Sequence, residues 1–382
     1  MLFLSGRRWR LMVLALWFAG GLTPVRATGF PMTVTDIAGR HVTIDHPPER
    51  IFLDDPRHLF ALAALMDQPV ARLSGWRSTL EGFDRQAQVR FEAVFPALAG
   101  LPTPGGQGNA QINAEALIAL APDLMLVDLS RYPDVAQSSL PAQLSALGIP
   151  ILVIDFKQHP LTNTGPSLRL LGHVLDAEPG AEALVQTIEQ HEHAVTQCVS
   201  QATHQPRVLI DIAPGLKTEC CRSNFDTGIA DLVEQAGGDN IAAGLSPGRE
   251  NLINPEYILT NEPDVIIATA AQWPSDESIR AGFGVAPQQT LSDMASIMAH
   301  RPGWANLAAV RDGRFHALWH GHHQGPFGVV ALEAIARWLH PLQCAALDPN
   351  QTQAMLYQTF MPIDSEGTFQ ATRPAITSIP QP

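Results

Sequence analysis

The residues from Ile112 to Val127, INAEALIALAPDLMLV, return 141 positions later as INPEYILTNEPDVIIA, Ile253 to Ala268, with Ile, Asn, Glu, Pro and Asp in the same five places. Each copy reads as a capped helix, a Pro-Asp turn and an apolar strand. A chain that writes this unit twice, about one domain apart, is constrained to two similar α/β halves. Its 382 residues suffice for two cores.

The rest of the chain fits that constraint. MTVTDIAGRHVTI reads as a hairpin turning at Ala38-Gly39. Apolar strand-like runs then alternate with helical patterns: RIFLD, HLFALAALM, ARLSGW, DLMLVDL, LPAQLSALG and PILVIDF. This alternation predicts an N-terminal α/β lobe over 30–160 with a mainly parallel sheet. Residues 163–203 form a connecting helical segment, with Leu184, Ile188, Val195, Cys198 and Val199 at helical spacing. About 24 such residues would reach about 36 Å, enough to span two lobes. The alternation resumes through RVLIDIA, DVIIATA and GRFHALW to GVVALEAIARWLHP, a C-terminal lobe over 206–345. Residues 346–382 read as a short helix and an extended tail. The expected fold is α/β: two similar lobes joined by one long rigid α-helix, with the ligand cleft between them at the carboxyl ends of the strands.

The first 27 residues read as a cleaved export signal. Arg7, Arg8 and Arg10 precede an apolar run too short for a bilayer span, and Val25-Arg26-Ala27 supplies a small-residue cleavage site. The Arg7-Arg8 pair leaves both the general and the twin-arginine export routes open. Cleavage would remove four of the 24 basic residues and none of the 37 acidic ones, deepening the net charge from −13 to about −17. So acidic a surface argues against nucleic acid and anionic membranes as partners. The expected product is a monomer in the periplasm.

Four cysteines are too few for a disulfide framework in so long a chain. Adjacent Cys220 and Cys221 could form a vicinal disulfide, a metal-thiolate pair or two unrelated buried thiols. The expectation is the last, with one of them bonded to Cys198 or Cys344.

The order of motifs resembles the class III periplasmic solute-binding proteins of ABC importers, which handle iron-siderophore complexes, haem and vitamin B12. The matching pieces are TVTDIAGRHVTI, PPERI, NAEALIALAPDL, LSALGIPILVID, AGGDNIA, INPEYILTNEPDVII, WANLAAVRDGRFHAL and ALEAIARWLHP, over nearly all of 32–345. The resemblance implies that Glu115 and Glu256 dock on an ABC permease dimer served by its ATPase. The plain structural reading is that both acids favour a helix N-terminus beside Asn113 or Asn254.

The loops after the strands supply candidate ligand contacts. In the first lobe these are Asp54, Arg57, His58, Trp76, Arg77, Arg131, Tyr132, Lys157 and His159. In the second they are Lys217, Arg222, Arg249, Trp273 and the run from Trp319 to Gln324. Guanidinium groups pair with carboxylates and aromatic rings stack on flat ligands, which suits an anionic, partly aromatic metal chelate. The run HGHH places His320, His322 and His323 together, and imidazole binds iron, zinc, copper and nickel. These three are candidate contacts to a metal, to the periphery of a chelate, or to solvent. No prosthetic group is expected, and no GxSxG, P-loop, HExxH or CxxC pattern occurs. The leading expectation is a binding protein, not an enzyme, with an iron chelate, most often a ferric siderophore, as cargo. Haem, cobalamin, or a free or chelated transition metal held through HGHH are alternatives. An exported metalloenzyme and a ligand sensor docking on a signalling partner stand further off.

Overall fold

The computed structural model describes residues 29–104, 112–216, 220–245 and 252–376. The export segment, Lys217 and Arg249 lie outside them. An antiparallel hairpin, β1 (Met32–Thr35) and β2 (His41–Ile44), opens the described chain. Asp36 closes its turn by accepting the N–H groups of Ala38 and Arg40.

The first lobe holds a four-stranded parallel sheet in the order β4-β3-β5-β6. Its strands are β3 (Ile51–Leu53), β4 (Leu73–Trp76), β5 (Leu124–Asp128) and β6 (Ile151–Ile154). The second lobe holds β7 (Arg207–Asp211), β8 (Asp239–Asn240), β9 (Val265–Ala270), β11 (Phe315–Trp319) and β13 (Gln370–Thr372). Their order is β13-β11-β9-β7-β8, parallel except that β13 runs antiparallel to β11 at one edge. The expected extended tail therefore contributes an edge strand. A small antiparallel pair, β10 (Gly282–Phe283) and β12 (Gly367–Thr368), lies apart from both sheets. Strands β5, β6, β9 and β11 are buried along their whole length, as parallel sheets covered on both faces require.

The repeated unit is repeated down to its hydrogen bonds. Helices Ala114–Ala119 and Pro255–Asn261 are capped by Asn113, which accepts from Ala116 N, and Asn254, which accepts from Glu256 N. Each is followed by a residue held at positive φ before a proline: Ala121 at 44° and Glu262 at 41°. The proline forbids another helical turn, and the aspartate after it fastens a neighbouring strand. Asp123 accepts Glu49 N at 2.7 Å and Arg50 N at 3.0 Å ahead of β3, and Asp264 accepts Arg207 N at 2.9 Å at the start of β7. Arg50 and Arg207 return the favour by donating to carbonyls of the preceding turn, Ala121 O and Asn261 O.

A helical hairpin carries the chain from one lobe to the other, and its second helix is the long connecting element. Pro160–Leu175 ends at Asp176, in the left-handed region with φ 58°, and Glu178–Val199 follows. Arg169 ties the two by donating to Glu182 at 2.8 Å and Glu189 at 3.0 Å. The second helix, 22 residues or about 33 Å long, is the spanning element expected from the sequence.

The cysteines pair otherwise than expected. Cys198, near the end of the spanning helix, is bonded to Cys344, and Cys220 is bonded to Cys221. The first bond closes a loop over a separation of 146 residues. By the chain-entropy account such a loop contributes about 5 kcal/mol.

One apolar core runs through both lobes, taking in Ile51 and Leu53 of the first and Ile266, Ala268 and Phe315 of the second. Polar clasps reinforce it across the lobes. Trp319 Nε1 donates to Asp84 Oδ2 at 2.9 Å, Gly228 N to Gln158 O at 2.8 Å, and Arg90 pairs with Asp364.

Candidate functional site

The carboxyl ends of the first sheet share one local device. An aspartate at or just past the strand end folds the following loop around its own carboxylate and presents a cation two or three residues on. After β3, Asp55 Oδ1 accepts Arg57 N at 3.0 Å and Arg57 Nε at 2.8 Å. After β5, Asp128 Oδ1 accepts Ser130 N at 2.9 Å, and Arg131 follows. After β6, Asp155 accepts the N–H groups of Lys157, Gln158 and His159 at 2.7–2.9 Å, with the Asn163 amide at 2.8 Å. Beyond β4, Arg77 Nε donates to Asp54 O at 2.7 Å, and Asp54 Oδ2 accepts Arg131 Nε at 2.7 Å. All four strands thus end in a cation: Arg57, Arg77, Arg131 and Lys157.

Three buried carboxylates, Asp54, Asp55 and Asp128, lie among these four cations. Burial raises the Asp54 carboxyl above its usual range, against the pull of Arg131 and Arg77. Burial opposes ionisation of Asp55 too, but the Arg57 guanidinium holds it well below the usual range. For Lys157, burial and then Arg57 push the ammonium down, with Asp128 and Asp55 opposing. Among the described residues Arg57, Arg77 and Arg131 each have a carboxylate or carbonyl within hydrogen-bond distance and Lys157 has none that close, which makes Lys157 the charge most available to a guest.

The second lobe faces this wall through the HGHH loop. His320 and His323 pack edge to face with ring centres 4.5 Å apart. Gln324 Nε2 donates to His320 Nε2 at 2.7 Å. Among the described residues neither Nδ1 has a hydrogen-bond partner. The Trp273 ring lies 5.3 Å and the Phe83 ring 6.0 Å from His320, and the Arg57 guanidinium sits 5.0 Å over Phe83. Burial keeps both imidazoles neutral, then the neighbouring histidine and Arg57; His323 is pushed down to about 3.

The structure gathers Arg57, Arg77, Arg131, Lys157, Trp273, His320 and His323 from the sequence candidates and parts them from others. Trp76 is fully buried beneath the sheet end. Trp319 is 2% exposed, its indole packed among Phe60, Phe83, Phe283 and Phe369. His322 is 1% exposed, its ring set edge-on to Trp319 and near Phe369. The three-histidine metal set therefore does not form, because consecutive His322 and His323 point to opposite sides of the loop. Among the described residues no three His, Cys, Asp or Glu side chains converge as metal ligands would. Tyr132 packs on the outer apolar cluster with Val127 and Val135, under the Arg40 guanidinium at 4.5 Å. His191 lies on the spanning helix with Nδ1 2.6 Å from Glu333.

Sequence reasoning named Asp54 but missed the turn aspartates Asp55, Asp128 and Asp155, and Phe83. The signal for the former was present in writing: Asp55-Pro-Arg57, Asp128-Leu-Ser-Arg131 and Asp155-Phe-Lys157 each follow an apolar run. Glu115 and Glu256, the proposed docking acids, are both exposed in the first turns of the repeated helices.

Comparison with known proteins places this geometry among relatives. Residues 88–318 match the family described as periplasmic binding protein. The molybdate-binding protein MolA of Haemophilus influenzae is 24% identical over 357 residues, covering 86% of this chain and 90% of its own. A cobalamin-binding protein of Halobacterium salinarum is 24% identical over 248 residues, 63% of this chain, and the chain spans only 59% of that relative's length. Among solved structures, the TroA-like periplasmic binding protein FepB from Veillonella parvula superposes with a TM-score of 0.80 at 26% identity, covering 90% of this chain and all of its own.

Proposed function

The chain belongs to the periplasmic binding protein family, and on that premise we propose that it captures an iron chelate, a ferric siderophore, and delivers it to an ABC importer. The observation that carries the reading is the ring of strand-end cations, Arg57, Arg77, Arg131 and Lys157, set opposite the neutral pair His320 and His323. Such a cleft favours a guest with anionic oxygens on one side. Phe83 and Trp273 offer rings to its flat or apolar parts. The guest would be released to a permease dimer, served by its ATPase, on which Glu115 and Glu256 dock. The chain would work in the periplasm after loss of its export signal.

A second reading is favoured by the unpartnered Nδ1 atoms of His320 and His323. Haem, cobalamin, or a free or chelated transition metal would then be held through that pair. The same pair would be the metal ligands of an exported metalloenzyme.

The test is titration of the mature protein with ferric hydroxamate and catecholate chelates, haem, cobalamin, molybdate and nickel, followed by tryptophan emission. Trp273 is the half-buried reporter beside the cleft. Saturable quenching by a ferric chelate is expected. A response confined to haem, cobalamin or bare metal, and lost in His320→Ala with His323→Ala, would replace it with the second reading. A response to molybdate alone would make the cation ring an oxyanion site.

A further inference from the structure

The two disulfides play different parts. Cys198–Cys344 joins distant segments and is buried at both ends. Cys220–Cys221 joins neighbours, so it removes almost no freedom from the unfolded chain and adds little as a staple. Cys221 belongs to the apolar core and Cys220 packs on its edge, but one sulfur also meets open space. Cys220 lines a cavity of about 360 Å³ together with Gly215, Glu277, His300, Arg301 and Trp304, whereas Cys221 is fully buried behind it. Arg301 Nη1 donates to the sulfurs of both cysteines. Its Nη2 lies 3.0 Å from Asp211, fully buried at the end of β7, and its guanidinium stands 4.9 Å over the Trp304 ring.

We propose that Cys220–Cys221 is a thiol–disulfide exchange site, reduced by a dithiol that enters this cavity and served by Arg301 as the group that stabilises the departing thiolate. A thiolate of the reductant attacks Cys220 Sγ, the sulfur that faces the cavity. The S–S electron pair passes to Cys221 Sγ, which leaves as a thiolate beside the guanidinium. The second thiol of the reductant then attacks its own sulfur in the mixed disulfide, freeing Cys220. The reductant departs as a disulfide, and two electrons and two protons have passed to the protein. Arg301 is held for this task by Asp211, whose charge fixes the guanidinium at the sulfurs. The proposal stands apart from the cargo cleft and does not depend on the cargo.

The site is tested on the folded, full-length mature chain with graded dithiothreitol, iodoacetamide quenching and peptide mass spectrometry. Two alkyl groups are expected on Cys220 and Cys221 at reductant levels that leave Cys198–Cys344 linked. In Arg301→Gln the rate should fall about threefold for each pKa unit of thiolate stabilisation lost, and in Arg301→Lys it should largely return. Circular dichroism of each variant checks that the fold survives. Should Arg301→Gln unfold, the comparison is made with Arg301→Gln combined with Asp211→Asn, which leaves no buried charge unpaired. Joint reduction of both bonds, resistance of both without denaturant, or a rate indifferent to Arg301 would overturn the proposal.

Discussion

Trp319 and Asp84, 235 residues apart, meet at 2.9 Å, the indole N–H of one lobe donating to a buried carboxylate of the other. Burial raises the Asp84 carboxyl to about 6, with the Ala87 and Trp319 hydrogen bonds opposing the rise. A carboxyl whose folded pKa lies above its unfolded value stabilises the fold when protonated, and that contribution is lost as pH rises through about 6. Asp84→Asn should therefore lack the parent's loss of stability between pH 4 and pH 7, at a pH-independent cost because its amide has one acceptor for the two N–H groups of Ala87 and Trp319. Thermal melts across pH read the difference between variant and parent; a difference independent of pH would contradict the assignment. Trp319→Phe should cost about 1–3 kcal/mol and leave cargo affinity unchanged, because the indole faces the inter-lobe core.

His322 gives the opposite pH sign. Burial, only partly offset by the nearby Gln353 amide, pushes its imidazole down to about 3. A histidine kept neutral in the fold contributes stability above its unfolded pKa, and that contribution is lost as pH falls toward the folded value. His322→Phe should melt higher than the parent at pH 5, by about 2 kcal/mol, and nearly equally at pH 8. Its cargo isotherm should be unchanged. A weakened isotherm would place His322 in the cleft after all.

Among the described residues Lys157 has no carboxylate in ion-pair contact, and burial depresses its ammonium against the more distant pull of Asp128 and Asp55. Lys157→Met should weaken binding of an anionic chelate about 10- to 100-fold while leaving the melting temperature equal or higher. Calorimetric titration at low and high salt reads both the loss and its screening. Undiminished affinity would remove Lys157 from the guest's contacts.

Glu115 and Glu256 are exposed in the first turns of the repeated helices. Replacing both with alanine should abolish uptake in cells with chelate affinity intact. An equal fall in affinity would sink the docking role.

Removing the staple separates the two disulfides in stability as well as in chemistry. Cys198→Ser with Cys344→Ser should lower unfolding free energy by up to about 5 kcal/mol, whereas Cys220→Ser with Cys221→Ser should change it far less. Equal losses in denaturant titrations would show that the vicinal bond is structural.

Much of this architecture was legible because the chain repeats itself. The second copy of the Asn-cap, Pro-Asp unit turned an ambiguous apolar run into half of a two-lobed fold, and Asp123 and Asp264 do the same work in each. The cations could be found because they follow buried strands. What could not be read was direction. A strand buried on both faces has no polar alternation, so nothing in GRFHALWHGHH tells that Trp319 turns inward and His320 outward. Cysteine pairing failed for a related reason, since the approach of Cys198 to Cys344 is fixed by how helices pack, over 146 residues.

The aspartate turns at the sheet ends separate two kinds of inheritance. Asp55, Asp128 and Asp155 settle the loop path through backbone N–H groups, whatever side chain comes two or three places later. The three positions are not equal in this respect: Arg57 and Arg131 also pair with the buried Asp55 and Asp54, so replacing either leaves a buried carboxylate uncompensated, whereas Asp155 is met by backbone N–H groups and the Asn163 amide and asks nothing of Lys157. In a lineage of such proteins, position 157 is the one that can be rewritten while the sheet beneath keeps its packing.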